Sequence, residues 1–597
     1  MSFEPESLLV LPAAEDTVLV EYPDLDAVLA HYPALVASKI YGVRELVPAA
    51  RTIAVYFEPS MSSAREIAEA VRSVEPLDVV AHGGEPTEIE VVYNGEDLAE
   101  VADLFGVSTT ELITRHQAAH WKVAFVGFAP GFAYCVGDDE LFAATPRRTT
   151  PRTRIPAGSV GLAANFSAVY PGESPGGWQL IGNSRAPMWD IHRTSPALLS
   201  PGDAVKYVAV PEEIQLAPPA SPESTSPESA SAEPASPDSV SPESVSPESV
   251  SPESVSPESV SPESTGAVGQ STSGAEKAGA VSAPAPVPEP AEPVALPERY
   301  WEIINPGVQM IFEDLGRPGL LNIGVAAAGA ADHQSLMAAN SAVGNAPDTA
   351  ALEIAGGGAE IRSHARCEIA IAGATGEVTV TEAETGYSFA LTPGLPAAIE
   401  PGDTISIGWF DRGVRAYLAV RGGYEVEPIL GSRSLDTLAG LGPQALTAGS
   451  IVPLSEKVAS GVVADAPTVG TKLPTEEEVT LRIVLGPRTD WFTAAALENL
   501  TAQAWKVTPQ SDRVGIRLEG EKPLARAREG ELQSEGAVTG AIQVPTSGQP
   551  VIFLADHPLT GGYPVIGSLV RSDIDTAAQI RPGTTIRFKI VTPFTQL

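Results

Sequence analysis

Short apolar-rich runs, alternating with polar positions at the start of the chain, recur along most of its length, and Gly or Pro sits in many of the gaps between them. "TVLVEY" (17–22), "ELVPAARTIAVYF" (45–57) and "TEIEVVYN" (87–94) have the strand period. Between them, "LDAVLAHYPALVAS" (25–38) has helical spacing. So does "SSAREIAEAVRSV" (62–74), which sets Ile67, Val71 and Val74 on one stripe. These elements predict a small α/β domain over 1–94. Two short helices follow in "GEDLAEVADLFGV" (95–107) and "STTELITRH" (108–116). Gly106 ends the first, and Ser108 with Glu111 forms a capping box for the second. From residue 121 to 210 only short strands remain, among them "KVAFVGF", "SVGLAANFSAVY", "WQLIGNS" and "AVKYVAV". That pattern predicts an antiparallel barrel or sandwich over 95–215.

The pattern stops between 216 and 296. This stretch is Ser, Pro and Glu, with four consecutive "SPESV" repeats at 241–260. It has too little apolar surface to fold, so a disordered tether is expected. Strand patterning then resumes with "CEIAIAG", "EVTVTEA", "TISIGWF", "AYLAV", "LRIVLG", "VIFLAD" and "TIRFKI". A helix is predicted from the N-cap Asp332 to Gly344, and the variable stretch 459–478 suggests two β subdomains, 297–470 and 471–597. A tether between two such halves keeps each at high effective concentration near the other. This is the organisation expected when two subunits that must pair become one chain.

Composition narrows the chemistry. The 597 residues carry a formal charge of −38, which disfavours nucleic acid and anionic membranes as partners. The second short helix offers Arg115 as its one base, so its resemblance to a helix-turn-helix carries no weight. Two distant cysteines rule out a disulfide framework. The acidic start lacks the pattern of a secretion signal, and no apolar run is long enough to span a bilayer. A cytoplasmic protein is expected.

Candidate chemistry lies in a few Gly-rich stretches. "VGFAPGFAYCVG" (126–137) fits neither the Walker A nor the dinucleotide pattern, since no Lys follows Gly131. Its Phe128 and Phe132 are expected to wall a ligand cleft, and Phe132→Ala to weaken substrate use more than folding. His116 and His120 have helical metal-ligand spacing but no third ligand, so no metal is expected and His116 is assigned a substrate contact. Arg147, Arg148, Arg152 and Arg154 make the densest basic spot in an acidic chain, and guanidinium forks suit carboxylate and phosphate oxygens. "YPGESPGGWQLIG" (170–182) sets Glu173, Ser174, Gly176, Gly177 and Gln179 beside Trp178. In the second half, Arg317 lies in a tight loop ahead of the Asp332 helix start, an anion-favouring position. "LQSEGAVTGAIQVPTSGQP" brings Ser534, Glu535 and Gln543, and "LADHPLTGGYP" brings Asp556, Thr560 and Tyr563.

Together these stretches are specific. "GFAPGFAY", "PRTRIPAGSVGLAA" and "YPGESPGGWQLIG" resemble the KipI, or allophanate hydrolase subunit 1, family. The 312–353 region and "SEGAVTGAIQVPTSGQPVIFLADHPLTGGYP" resemble the KipA, or subunit 2, family. The resemblance implies cyclophilin-like β-barrels in both halves and an active site shared between them. It also implies the B and C components of an ATP-dependent 5-oxoprolinase, with Mg as counter-ion and a LamB/YcsF-type A component as partner. On this reading Glu173, Ser174, Asp332, Asp556 and Tyr563 are catalytic. His116, Phe128, Phe132, Arg147, Arg152, Arg154, Gly176, Gly177, Gln179, Arg317, Gln543 and Thr560 bind substrate or nucleotide. Two alternatives follow from the same families: the carboxyltransferase of a biotin-dependent urea system, and a regulator of a sensor histidine kinase. No Met-Lys-Met biotin acceptor occurs in the chain. Ala328, Ala331 and Asp512 stand where these families commonly have Ser, Met and Asn.

Overall fold

The computed structural model describes residues 8–77, 85–148, 152–212, 296–457, 459–474, 477–530, 532–592, 595 and 597. The Ser/Pro/Glu tether lies outside the described residues. The two halves, 1–212 and 296–597, form one compact unit.

The first half begins with an antiparallel sheet of Leu9–Ala14, Thr17–Glu21, Thr52–Phe57 and Val43–Pro48, in that spatial order. Two helices pack on it, Leu25–Ser38 and Ala64–Arg72. Ser63 closes the capping box with Glu66 on the second. Val28, Leu35, Ile67 and Val71 from the helices meet Val18, Val20, Ile53 and Val55 from the strands in one apolar core. The strand Thr87–Val91 does not close this layer, as its position in sequence had suggested. It runs parallel to Ala204–Ala209 at the edge of a seven-stranded barrel-like sheet.

The other strands of that sheet include Trp121–Val126, Ala133–Val136, Ser159–Ala163, Phe166–Val169 and Gln179–Asn183. Helices Leu98–Phe105 and Thr109–Ala118 seal one side through Val101, Ala102 and Leu112. Gly106 ends the first in the left-handed region, and Ser108 caps the second by accepting from the Glu111 N–H.

The second half holds a six-stranded and a five-stranded sheet over a shared core of Trp301, Ile303, Phe312, Ile369 and Leu418. Helix His333–Ala342 lies against strands Cys367–Thr375 and Arg412–Val420. A closed seven-stranded barrel follows, from Glu478–Leu485 to Thr585–Thr592, filled by Ile483, Trp505, Ile542 and Ile586. The protein is thus mainly β, with barrel-like sheets in both halves. Among the described residues, no helix is long and apolar enough to cross a membrane.

What positions the site is the seam between the halves. Leu11, Leu19, Val47 and Ala54 of the first sheet form one apolar cluster with Leu321, Ala326 and Leu559 of the second half. Polar ties flank this cluster. Tyr56 Oη donates to the Ala537 carbonyl at 2.8 Å, the Ala50 N–H to the Ser534 carbonyl at 3.2 Å, and the Gly131 N–H to the Ile323 carbonyl at 3.3 Å. Arg488 bridges Glu535 of its own half and Glu21 of the other, the latter at 2.6 Å. Burying charge at a seam costs desolvation unless it is paired, and here each partner is satisfied.

Candidate functional site

Motifs hundreds of residues apart meet on this seam. The "GFAPGFAY" stretch leaves strand Trp121–Val126, turns at Phe128 and Gly131, and returns as Ala133–Val136. Its Gly127 lies against Thr560: a Cβ there would stand 2.8 Å from Thr560 Cγ2. Tyr134, on the returning strand, brings its hydroxyl 3.5 Å from Thr560 Oγ1. Burial pushes the Tyr134 phenol above its usual range, while Thr560, the Arg147 charge and Ser534 oppose that shift.

Arg147 reaches the same place from the basic loop, its Nη2 3.4 Å from Ser534 Oγ. The double glycine of "TGGYP" makes this approach possible. A Cβ on Gly562 would stand 2.8 Å from Arg147 Nη1, and one on Gly561 would stand 2.6 Å from Gln543 Nε2. The turn is therefore flanked by a guanidinium on one side and a carboxamide on the other. Gly561 also pairs with Glu535, and Thr560 with Gly536. Gln543 Nε2 donates to the Tyr563 carbonyl at 3.4 Å.

The loop carrying Arg147 is strapped to the Gly177–Gln179 segment. The Arg148 N–H donates to the Gly177 carbonyl at 2.8 Å, and Gln179 Nε2 to the Pro146 carbonyl at 3.2 Å. Gln179 is buried, and among the described residues its Oε1 has no hydrogen-bond partner. An orphaned buried acceptor beside an arginine is a place for a ligand donor.

Other predicted residues have different duties. Asp97, buried and not anticipated, accepts from Arg152 on its two oxygens at 2.8 and 2.9 Å, and from Arg148 and the Leu180 N–H as well. Burial pushes the Asp97 carboxyl up, but these partners outweigh it and hold it below its usual range. Arg152 is therefore committed to the fold and does not serve as an anion contact. Arg154 and Glu173 pair with each other at 2.6 Å on the surface, 76% and 50% exposed, where such pairs contribute little. Ser174 and Gly176 lie on the short strand Ser174–Gly176, paired with Ile155 and Arg152. The Tyr170 ring backs Gly176.

His116 is corrected from substrate contact to barrel core. It is fully buried among Tyr93, Trp121, Phe142 and Tyr207, with Ser167 Oγ 3.0 Å from its Nε2. Burial drives its pKa down to about 3, so it stays neutral. Phe132 is likewise core, 1% exposed and edge-on to Phe128, Tyr170 and Trp178. Of that group Phe128 alone is half-buried, at a left-handed φ of 65°. Cys135 is a small core residue whose thiol is pushed up to about 12 by burial.

Asp332 caps helix His333–Ala342 and is enclosed by Ser335, Thr471 and Gln579. Asp556 is fully buried, gripped by Arg513 at 2.9 and 3.0 Å and by the Thr437 N–H at 2.9 Å. The same Arg513 holds Glu353 at 2.6 Å, so it ties the barrel to the preceding sheets. Arg317 is buried by the Ser434 carbonyl, close to Asp436 and Asp314. Asp332 and Asp556 are thus engaged in internal contacts, whereas the Nε and Nη1 of Arg317 have no hydrogen-bond partner among the described residues. Among the described residues no cluster could hold a metal.

One residue beside the double glycine was missed. Arg526 lies over the Tyr563 ring at 5.8 Å, a cation–π contact. It sits in "LARAREGELQSEG", whose many charges mask it in sequence. Ser534, singled out from its motif, does stand against Arg147.

The comparisons with known proteins fall on this geometry. Residues 8–199 match the Carboxyltransferase domain, subdomain C and D, family. Residues 323–590 match the Carboxyltransferase domain, subdomain A and B, family. The C component of the Escherichia coli K12 5-oxoprolinase is 31% identical over 290 residues, covering 48% of this chain and 90% of that protein. The chain belongs to the carboxyltransferase-domain family. Its relatives include the B component of the Escherichia coli O157:H7 5-oxoprolinase, 38% identical over 176 residues, covering 29% of this chain and 80% of that one. Urea amidolyase of Saccharomyces cerevisiae is 32% identical over 316 residues, half of this chain but only 17% of that protein. Among solved structures, TTHA0988 superposes with a TM-score of 0.71 at 28% identity, covering 96% of this chain and 99% of that one. The chain is thus a fusion of a B-like and a C-like part, and a protein of the same two-part extent is known in crystals.

Proposed function

We propose that this chain is the fused B and C component of an ATP-dependent 5-oxoprolinase. The observation that supports this most directly is the seam itself. Halves similar to two separate proteins contribute Arg147, Tyr134 and Gln179 from one side, and Ser534, Gln543, Thr560 and the Gly561–Gly562 turn from the other. A complete site then needs both halves, which is a physical reason for joining them.

A lactam is a poor electrophile, and phosphorylating its oxygen would make the ring carbon open to attack. The residues present fit a phosphoryl group: a guanidinium, three hydroxyls and a glycine turn with no side chain to obstruct it. ATP would supply the phosphoryl group; Arg147 would hold its oxygens, with Mg as counter-ion. Gln179 Oε1 would accept the lactam N–H, satisfying its buried lone pair. Tyr134 and Thr560 would orient the carbonyl end. Fixed donors in a water-poor site stabilise developing charge far better than mobile ones. A separate LamB/YcsF-type A component would complete hydrolysis to L-glutamate.

The relatives include both 5-oxoprolinase components and urea amidolyase at similar identity, so the urea-type alternative is decided by experiment. The chain matches most of the B and C components of 5-oxoprolinase but a small fraction of urea amidolyase. The test is the purified chain with a matching A component, ATP and 5-oxoproline, following glutamate and phosphate. Substrate-dependent phosphate release that falls in Arg147→Ala supports the proposal. Release with urea and a biotin carboxylase, and none with 5-oxoproline, would assign the urea-type function instead.

A further inference from the structure

A cavity of about 300 Å³ opens on the same seam but is lined by none of the residues discussed above for the lactam site. Ala14, Glu15 and Asp16 at the turn after strand Leu9–Ala14, with strand Val43–Pro48, form one side. The other side is the small-residue run Ala326–Ala331 and the segments carrying Thr539 and His557. Ala328 in this wall holds a left-handed φ of 50°, which costs a non-glycine residue and persists where surroundings enforce it.

Hydrogen-bond direction can be worked out at its polar end. His557 is buried, stacked on Phe553 at 5.5 Å and 10°. Its Nδ1 is 2.9 Å from the Pro558 carbonyl, which can only accept, so Nδ1 carries the proton. Burial keeps the imidazole neutral, leaving Nε2 as a bare acceptor. Thr539 Oγ1, 3.2 Å from Nε2, must therefore donate its one hydrogen to the ring. The half-buried Thr539 oxygen then has only lone pairs to offer the cavity. The lining adds four carboxylates, Glu15, Asp16, Glu45 and Asp575, against two guanidiniums, Arg44 and Arg571. All four have a partner: Asp16 pairs with Arg44 at 2.8 Å, and Glu15, Glu45 and Asp575 accept from the Arg571, Leu321 and His333 N–H groups at 2.7, 3.2 and 3.0 Å, neutral donors that leave their charge in place. The net balance is still two negative charges, in a space whose fixed hydroxyl accepts.

We infer that this cavity is a second ligand site, selective for a small molecule bearing a protonated amine, which Thr539 Oγ1 accepts from. The inference uses neither ATP nor the lactam site. Two sources share this chemistry, an amino acid and an aliphatic diamine. Calorimetric titration of the full chain with L-glutamate and with putrescine, in the absence of nucleotide, distinguishes them. Saturable binding of either supports the site, and the tighter ligand names the source. Thr539→Val keeps the volume but removes the acceptor, and is expected to weaken binding at least about tenfold. Ala327→Leu, at a half-buried position of ordinary φ, fills the cavity and is expected to abolish it. Arg147→Ala should leave amine binding unchanged while lowering lactam turnover about 100- to 1,000-fold, so the two proposals fail separately. Absence of binding by both amines, or binding that survives both Thr539→Val and Ala327→Leu, overturns the inference.

Discussion

Gly562→Ala probes the lactam site with a single methyl group. Its new Cβ would stand 2.8 Å from Arg147 Nη1 and 3.2 Å from the Leu532 carbonyl. Ordinary contact begins near 3.4 Å, so the guanidinium must retreat by about 0.6 Å. Gly562 does not occupy the left-handed region, so alanine fits its backbone. The end of an arginine side chain is also the most compliant neighbour available. The fold should therefore lose less than about 1 kcal/mol, readable in denaturant titration. Catalysis should suffer more, because Arg147 no longer stands where charge develops. A misplacement of this size is expected to lower kcat about 10- to 100-fold, against about 100- to 1,000-fold for Arg147→Ala. The double variant should be no slower than Arg147→Ala alone, since both act through one guanidinium. The assay is ATP- and 5-oxoproline-dependent phosphate release with the A component present. Wild-type turnover by Gly562→Ala, or rate losses that multiply in the double variant, would refute the assignment of Arg147.

Phe132→Ala should act in the opposite sense, costing about 3–5 kcal/mol of stability, because the ring is 1% exposed in an aromatic cluster; unfolding midpoints decide between this and a purely functional loss. Asp97→Ala should destabilise by about 3 kcal/mol, since it strands Arg148 and Arg152 and the Leu180 N–H together; a change below about 0.5 kcal/mol in urea titration would show the cluster to be dispensable. Burial and the Asp556 charge raise the Asp436 carboxyl to about 7, above its ordinary 3.8. The native state therefore holds this proton more tightly, and the associated stability, full below about pH 4, is lost as pH rises through 7. Its slope is up to about 1.4 kcal/mol per pH unit. Asp436→Asn keeps the acceptor for the Leu438 and Ala439 N–H groups, so unfolding free energies from pH 5 to 8 should fall less steeply than in wild type.

Local structure was legible where one segment decides its own fate. Gly106, Ser108 and Asp332 mark helix ends that the structure keeps, although the Ser108 box is formed only by the bond from the Glu111 N–H. Strands in both halves fall on the short apolar runs between Gly and Pro turns, many of them buried on both faces. Strand Thr87–Val91 was misplaced because its partner, Ala204–Ala209, lies more than a hundred residues away, and period alone does not say which sheet a strand joins. The site divided along the same line. Motifs rich in Gly and Arg pointed to the seam, since close backbone approach and anion contact need those residue types. What each arginine does was not legible, because it depends on which carboxylate the fold delivers. Asp97 captures Arg152, and Asp556 captures Arg513, whereas Arg147 meets a serine and a double glycine. The same ambiguity applied to histidines: His116 and His557 are both buried and neutral, yet one is enclosed by aromatic rings and the other borders a cavity. Residue type proposes a chemistry, but the partners brought from the other half decide whether that chemistry is spent on the fold or left for a ligand. In a chain whose site lies between two halves joined by a tether, that decision is made by contacts hundreds of positions apart, such as Tyr134 with Thr560 and Tyr56 with Ala537.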